Sequence, residues 1–388
     1  MAHDALERGL IVGDRPDGDG SIALPPATKR GSVLRRLPEA EGWRCWPLPV
    51  VEGAVGAFRL PEDAAPVTIE APSGRAMTLA PGDLMLGTAG HRESTRWVVG
   101  SVPEGGLRVG ETYWILADCG IVGTLLGDSP RQKGHLAPVT CLGAVHDEAG
   151  RPLTLARFAL AGGPLLGAPA AASPCATSSA AASSCAASSA APSPAPVPPV
   201  AVPPVFLVLG TASEVGKTTA ALGLLRALRR SGRGRVLALK ATGTSSVTEL
   251  HAYLDLGAAP CLDAVDFGLP TTYPSERPGI EPVFAAMLTW CLGQPVDAVL
   301  IECGGDILGA NVPTFLRTLV AHAPRTRVVL AAADSLAALG AKSVLAEHGL
   351  TPILLTGPCT DTPTIQARTQ RLCGIPAMNL ARGDDLVL

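Results

Sequence analysis

Beyond residue 204 the chain alternates short, largely apolar runs with segments whose apolar residues recur every three to four positions. The runs 205–209, 235–240, 297–302, 327–332, 352–356 and 377–380 read as strands, and 217–231, 281–292, 312–322, 335–348 and 363–372 read as amphipathic helices. Continuous apolar strands set between such helices predict a parallel sheet covered on both faces, a doubly wound α/β domain. Residues 1–160 carry a different pattern. Short β-type runs at 43–49, 66–70, 83–87, 96–102, 112–117, 121–126 and 137–145 are punctuated by Gly and Pro at the spacing of a small β-barrel or sandwich. A weak helical pattern covers only 32–41 there.

Between the two patterns, residues 161–204 hold no charged and no aromatic side chain and consist mostly of Ala, Ser, Pro and Gly. Such a segment buries too little to offset its ordering entropy, so it is expected to be a disordered tether. The expected organisation is a β-rich domain of unknown role (1–160), a linker (161–204) and a second domain (205–388), with the two folded halves stable on their own after cleavage of the tether. A length of 388 residues suits two folded units.

Composition narrows the function classes. A formal charge of -3 gives no general attraction to polyanions, so nucleic acid is not indicated. The apolar runs are far shorter than the ~20 residues of a membrane helix. Asp4, Glu7 and Arg8 stand where a signal peptide would build its apolar core, so a soluble cytoplasmic protein is expected, with a small-molecule substrate as partner and room for a homodimer. The ten cysteines include no C-x-x-C pair and read as small buried or linker thiols; only Cys303, beside a motif described below, stands apart.

Chemistry concentrates in GTASEVGKTT, residues 210–219. A strand ending in Gly210, a loop through Thr211, Ser213, Glu214 and Val215, and a helix opened by Gly216, Lys217, Thr218 and Thr219 make a phosphate-binding P-loop. Backbone N–H groups wrap a β-phosphate, Lys217 reaches the β- and γ-phosphates, and the Thr218 hydroxyl takes Mg²⁺. Five residues separate Gly210 from Gly216, one more than in the commonest pattern. Downstream, the strand 298–302 ends in Glu302, a carboxylate placed for the Mg²⁺ shell. Gly304 and Gly305 follow and let backbone approach the phosphates, while Asp306 is either an outer acid or a loop carboxylate. The expected cofactors are ATP and Mg²⁺.

The second strand ends in Lys240, which brings Thr242, Gly243, Thr244 and Ser245 to the sheet's C-terminal edge, where ligands of open α/β sheets bind. A lysine there can stabilise charge on a transferred phosphoryl group. Asp263 and Asp266 follow, one a candidate Mg²⁺ ligand and the other a turn cap, and then Thr271, Thr272 and Tyr273 in an irregular loop of the substrate-reading kind. In the β-rich half, the charged run GTAGHRESTRW (87–97) reads either as a ligand loop or as an ordinary solvated turn.

GTASEVGKTT resembles the P-loop of dethiobiotin synthetase, which has the same five-residue gap. That resemblance implies a substrate-contacting lysine at Lys240 and Mg²⁺ on Thr218, on Asp263 or Asp266, and on Glu302. The segment Lys240-Ala-Thr-Gly and the Asp-Phe pair at 266–267 look more like the P-loop half of the DgcN-like D-amino-acid N-acetyltransferase family. Three functions follow as expectations. The first is an ATP-dependent kinase or ligase that phosphorylates or activates a small carboxylate, carbamate or amino acid, with Lys217, Lys240 and Glu302 as catalytic groups. The second is an N-acyltransferase whose P-loop cradles an acyl-CoA. The third is a nucleotide-dependent switch or chaperone, for which no guanine-reading Asn-Lys-x-Asp motif is present.

Overall fold

The computed structural model describes residues 20–38, 42–94, 97–130, 136–160, 202–243 and 246–382. The expected tether, except for its last three residues, lies outside them. Among the described residues, the first half holds the strands β1 (Ile22–Ala23), β2 (Lys29–Arg30), β3 (Arg44–Trp46), β4 (Val55–Arg59), β5 (Val67–Glu70), β6 (Ala76–Leu79), β7 (Leu84–Ala89), β8 (Arg92–Glu93), β9 (Val98–Ser101), β10 (Thr112–Ala117), β11 (Ile121–Asp128) and β12 (Pro138–His146). Pairing runs β12–β4–β7–β11, and β10 pairs with both β11 and β12, so five strands close into a ring. Closure removes the free edges that an open sheet of this size would expose. β4 and β6 lie outside the strands expected from the sequence. β4 is buried along its whole length, so it shows no apolar–polar alternation. The helix expected at 32–41 is a single 3-10 turn, Ser32–Leu34.

The second half runs β13 (Val205–Gly210), α1 (Lys217–Arg230), β14 (Val236–Thr242), α2 (Val247–Asp255), β15 (Cys261–Asp263), α3 (Glu281–Leu292), β16 (Ala298–Cys303), α4 (Val312–His322), β17 (Arg327–Ala331), α5 (Ser335–Glu347), β18 (Pro352–Thr356) and α6 (Pro363–Cys373). The six strands are all parallel, in the order β15-β14-β16-β13-β17-β18. Residues of β13 alternate between two cores. Val205, Leu207 and Leu209 pack with α3, α4 and α5, and Phe206 and Val208 pack with α1 and α2. No strand forms at 377–380. Leu355 makes one bridge to Ala377, and the chain turns into the 3-10 segment Leu380–Arg382. The sixth strand is β15, which the sequence pattern did not disclose.

The two halves are packed against each other through buried polar contacts. Arg35 donates to Asp263 at 2.5 Å and to Asp266 at 2.8 Å, and Arg36 reaches Asp266 at 3.2 Å. Val265, from the second half, joins the apolar core of the β-rich half, and Leu160 packs against the core of the second. Two halves held together only by a tether are therefore not what the structure shows. No helix of the described residues is long and apolar enough to cross a membrane.

Candidate functional site

The P-loop is formed as its sequence demands. β13 ends at Gly210 in the middle of the sheet, and α1 starts at Lys217 from Gly216, whose φ of 85° lies in the left-handed region that favours glycine. Thr211 is pinned at 3.0 Å to the Ala331 carbonyl, and its hydroxyl accepts from the Ala333 amide. Ser213, Glu214, Gly216, Lys217, Thr218 and Thr219 line a cavity of about 410 Å³. Lys240, Gly243, Glu249, Tyr273, Glu302, Gly304 and Gly305 complete its described lining from the second half. Val215 is buried beneath the loop.

Lys217 is 7% exposed, and its Nζ donates to the Ala212 carbonyl at 2.7 Å. Burial pulls its pKa down to about 8; Glu302 opposes that shift and Lys240 reinforces it. A bound phosphate would restore the ammonium, so binding takes up a proton above that pKa. Phosphate-ligand affinity is then level below pH ~8 and falls roughly tenfold per unit above it. Dissociation constants measured from about pH 7 to 9.5 check this, and a flat profile would show that Lys217 carries no phosphate charge.

Lys240 and Glu302 are partners in the β14–β16 register. Lys240 forms an ion pair with Glu249 on α2. Glu302, 2% exposed, accepts from the Thr218 hydroxyl at 3.0 Å and from the Tyr253 hydroxyl, also on α2. Burial and the Glu302 charge both push the Tyr253 phenol above its ordinary pKa, so it remains a donor. Glu249 and Tyr253 were not among the expected site residues. The sequence signal was slight, since α2 has only nine residues.

Thr218 and Glu302 form a donor set that suits Mg²⁺, a cation that keeps several waters and takes few protein oxygens. No cluster of three acids, histidines or cysteines able to hold a metal occurs among the described residues, so phosphate oxygens and water would have to complete the shell. Glu302→Gln keeps the shape and removes the charge. It is expected to weaken Mg²⁺-dependent nucleotide binding about tenfold and to leave metal-free binding within about twofold, as read by titration with and without Mg²⁺.

Other expected residues are placed differently. Asp263 and Asp266 are not Mg²⁺ ligands here. They are buried on Arg35 and Arg36, and they form a capping box in which Asp263 accepts from the Val265 amide and Asp266 from the Asp263 amide. Their charge is already matched. Asp306 accepts from the Leu308 and Gly309 amides at 2.9 Å and serves its own loop. Burial raises the Cys303 thiol to about 12, which leaves it protonated and unreactive.

The expected substrate-reading groups largely hold backbone together. Thr242 donates to the Gly304 carbonyl, Thr271 to the Gly243 carbonyl and Thr272 to the Ala310 carbonyl, and all three threonines are buried. The backbones of β14 and β16 approach so closely here that a Cβ at Gly304 would lie 2.4 Å from the Thr242 carbonyl oxygen. Tyr273 does face the cavity, while Thr244 and Ser245 lie outside the described residues. From the β-rich half, Arg92, Ser94 and Trp97 complete the cavity lining, so the charged run at 87–97 reaches the P-loop. A second cavity of about 920 Å³ adjoins it and shares Arg92, Trp97 and Glu214.

No protein-family model matches the chain, and no curated protein matches it. Among solved structures, it is similar to the signal recognition particle receptor FtsY of Elizabethkingia anophelis in complex with GDP, at 20% identity and a TM-score of 0.29, over 47% of this chain and 52% of that one. It is similar also to chloroplast FtsY of Physcomitrella patens, at 16% identity and 0.32, over 45% and 57%. A third is FtsY of Mycoplasma mycoides, at 15% and 0.32, over 48% and 70%. The chain thus spans little more than half the length of the first two. These comparisons run against the expected ATP-dependent kinase or ligase, since the matched structures are signal recognition particle receptors, one of them in complex with GDP, and they do not confirm dethiobiotin-synthetase-like specificity.

Proposed function

We propose that the chain is a nucleotide-dependent switch in which a nucleoside triphosphate with Mg²⁺, bound at the P-loop, is read out by the packing of the β-rich half. The observation that supports this reading is the double engagement of α2. It touches the nucleotide site through Glu249, in its first turn, on Lys240 and through Tyr253, one turn further on, on Glu302. Its N-terminus is capped from the other half by Glu70, whose carboxylate accepts from the Val247 amide at 3.0 Å, the Thr248 amide at 2.9 Å and the Ser246 hydroxyl at 2.9 Å. Burial of Glu70 is outweighed by these bonds and one from Ser32, so its pKa lies below the ordinary glutamate value. A carboxylate at a helix N-terminus is favoured by the exposed amides and the dipole.

The chemistry asked of each residue is modest. Lys217 and the loop amides hold phosphates, and Thr218 and Glu302 hold the cation. Glu302 would serve Mg²⁺ and Lys240 a terminal phosphate only by loosening their bonds to Tyr253 and Glu249, which would free α2 to shift relative to Glu70. A ligand shifts such an equilibrium only by its differential affinity for the two arrangements. Hydrogen exchange with and without Mg²⁺-GTP or Mg²⁺-ATP is the test. Binding is expected to change protection in 246–255 and in 66–79 together. Binding that leaves both segments unchanged removes the switch reading.

A further inference from the structure

Arg92 lies on the wrong side of the molecule for a P-loop residue: β8 belongs to the β-rich half, yet Arg92 lines the cavity formed by Lys217, Thr218 and Glu302. Its place is fixed twice. Nη1 donates to the Leu116 carbonyl of β10, which ties the guanidinium to the barrel wall. The next residue, Glu93, accepts from the Ser275 amide at 2.9 Å and the Ser275 hydroxyl at 2.6 Å, which ties β8 to the loop that carries Tyr273. That loop lines the same cavity through Tyr273, and Ser275 in turn accepts from the Ala310 amide at 3.0 Å. The Arg92 charge is felt there: burial raises the Tyr273 phenol to about 12 against an opposing pull from Arg92.

Charge accounting sharpens the point. The charged residues of the described lining are Arg92, Lys217 and Lys240 against Glu214, Glu249 and Glu302. Lys240 is paired with Glu249, and Glu302 faces Thr218, where the cation belongs. Phosphates seated on the loop therefore have Lys217 on the P-loop side and Arg92 on the side of the β-rich half. A planar guanidinium presents several N–H donors, a geometry suited to phosphate oxygens.

Resting on the switch reading above, we infer that Arg92 is a phosphate-binding residue supplied by the β-rich half, and that it distinguishes a nucleoside triphosphate from a diphosphate. The outermost phosphate is the part of the ligand that a side chain arriving from outside the P-loop would meet, opposite Lys217, whereas the loop amides hold the inner ones. Arg92 then adds a triphosphate-dependent link between the two halves, on a strand that the Glu93–Ser275 contact already holds in place.

The test is a set of dissociation constants for non-hydrolysable guanosine and adenosine triphosphate analogues and for the matching diphosphates, all with Mg²⁺. Arg92→Ala is expected to lower triphosphate affinity about tenfold and to change diphosphate affinity less than twofold. Arg92→Gln keeps a donor for the Leu116 carbonyl without the charge, and it is expected to lose the same discrimination at unchanged thermal stability. A triphosphate-to-diphosphate ratio in both variants equal to that of the wild type overturns the inference while leaving the switch reading intact. Failure of the wild type to bind any nucleotide overturns both.

Discussion

Lys217→Ala is expected to lower nucleotide affinity at least about a hundredfold and to leave the fold intact. Each charge-assisted hydrogen bond to a phosphate is worth roughly 1.5–3 kcal/mol, and a lysine that reaches two phosphates loses more than one of them. Folding is spared for a local reason. Lys217 is buried, but its described hydrogen bond is to the Ala212 carbonyl of its own loop. Its removal also relieves the cost of keeping an ammonium in a site that pulls its pKa to about 8. Nucleotide titration together with a thermal melt reads both quantities. A folded Lys217→Ala protein that binds nucleotide as the wild type does would falsify the P-loop assignment.

Arg35→Met carries the largest expected loss of stability, about 3–5 kcal/mol, because it removes the cation of a buried cluster on which Asp263 depends, while Asp266 keeps only Arg36. Against a typical total of roughly 5–15 kcal/mol for a folded domain, that is enough to loosen the contact between the halves. Asp263 is 1% exposed and Asp266 3%, and neither can turn to water without dismantling the capping box they share. Burial already pushes the Asp263 carboxyl upward, with Arg35 the main opposing influence. Without Arg35, its folded pKa stands above its unfolded value, so the folded variant binds the proton preferentially. The deficit relative to wild type therefore shrinks as the pH is lowered toward the unfolded value of about 3.9. Denaturant unfolding at neutral and mildly acidic pH measures this, and a deficit below about 1 kcal/mol would show that the cluster is solvated.

Much of the second half was legible because its signals are local. The strand, glycine and lysine of the P-loop, and the apolar runs of β13, β14 and β16, declare themselves within a few residues of sequence. What was misread depends on distant partners. Asp263 and Asp266 read as one Mg²⁺ ligand and one turn cap; the cap is there, but the metal role fails because the arginine that neutralises them is 228 and 231 residues upstream. Glu70 is separated by 177 residues from the amide of Val247, so the contact that caps the short helix α2 is not visible in its local sequence. The threonines at 242, 271 and 272 are polar in sequence, but their hydroxyls are spent on carbonyls in folded backbone. Arg92 stood in a run that was noticed, but only the folded chain brings that run to the P-loop.

The exchange of anchors between the halves, Val265 in one core and Leu160 against the other, sets how the molecule can be divided. A β-rich half produced alone would lack the side chain that fills its own interior, and the P-loop half would expose the acidic turn at 263–266. Co-production of residues 1–160 and 202–388 as separate polypeptides should instead restore a single particle by fragment complementation, with each piece serving as the other's folding template. In a chain built this way, nucleotide binding and assembly of the two fragments become a single measurable event.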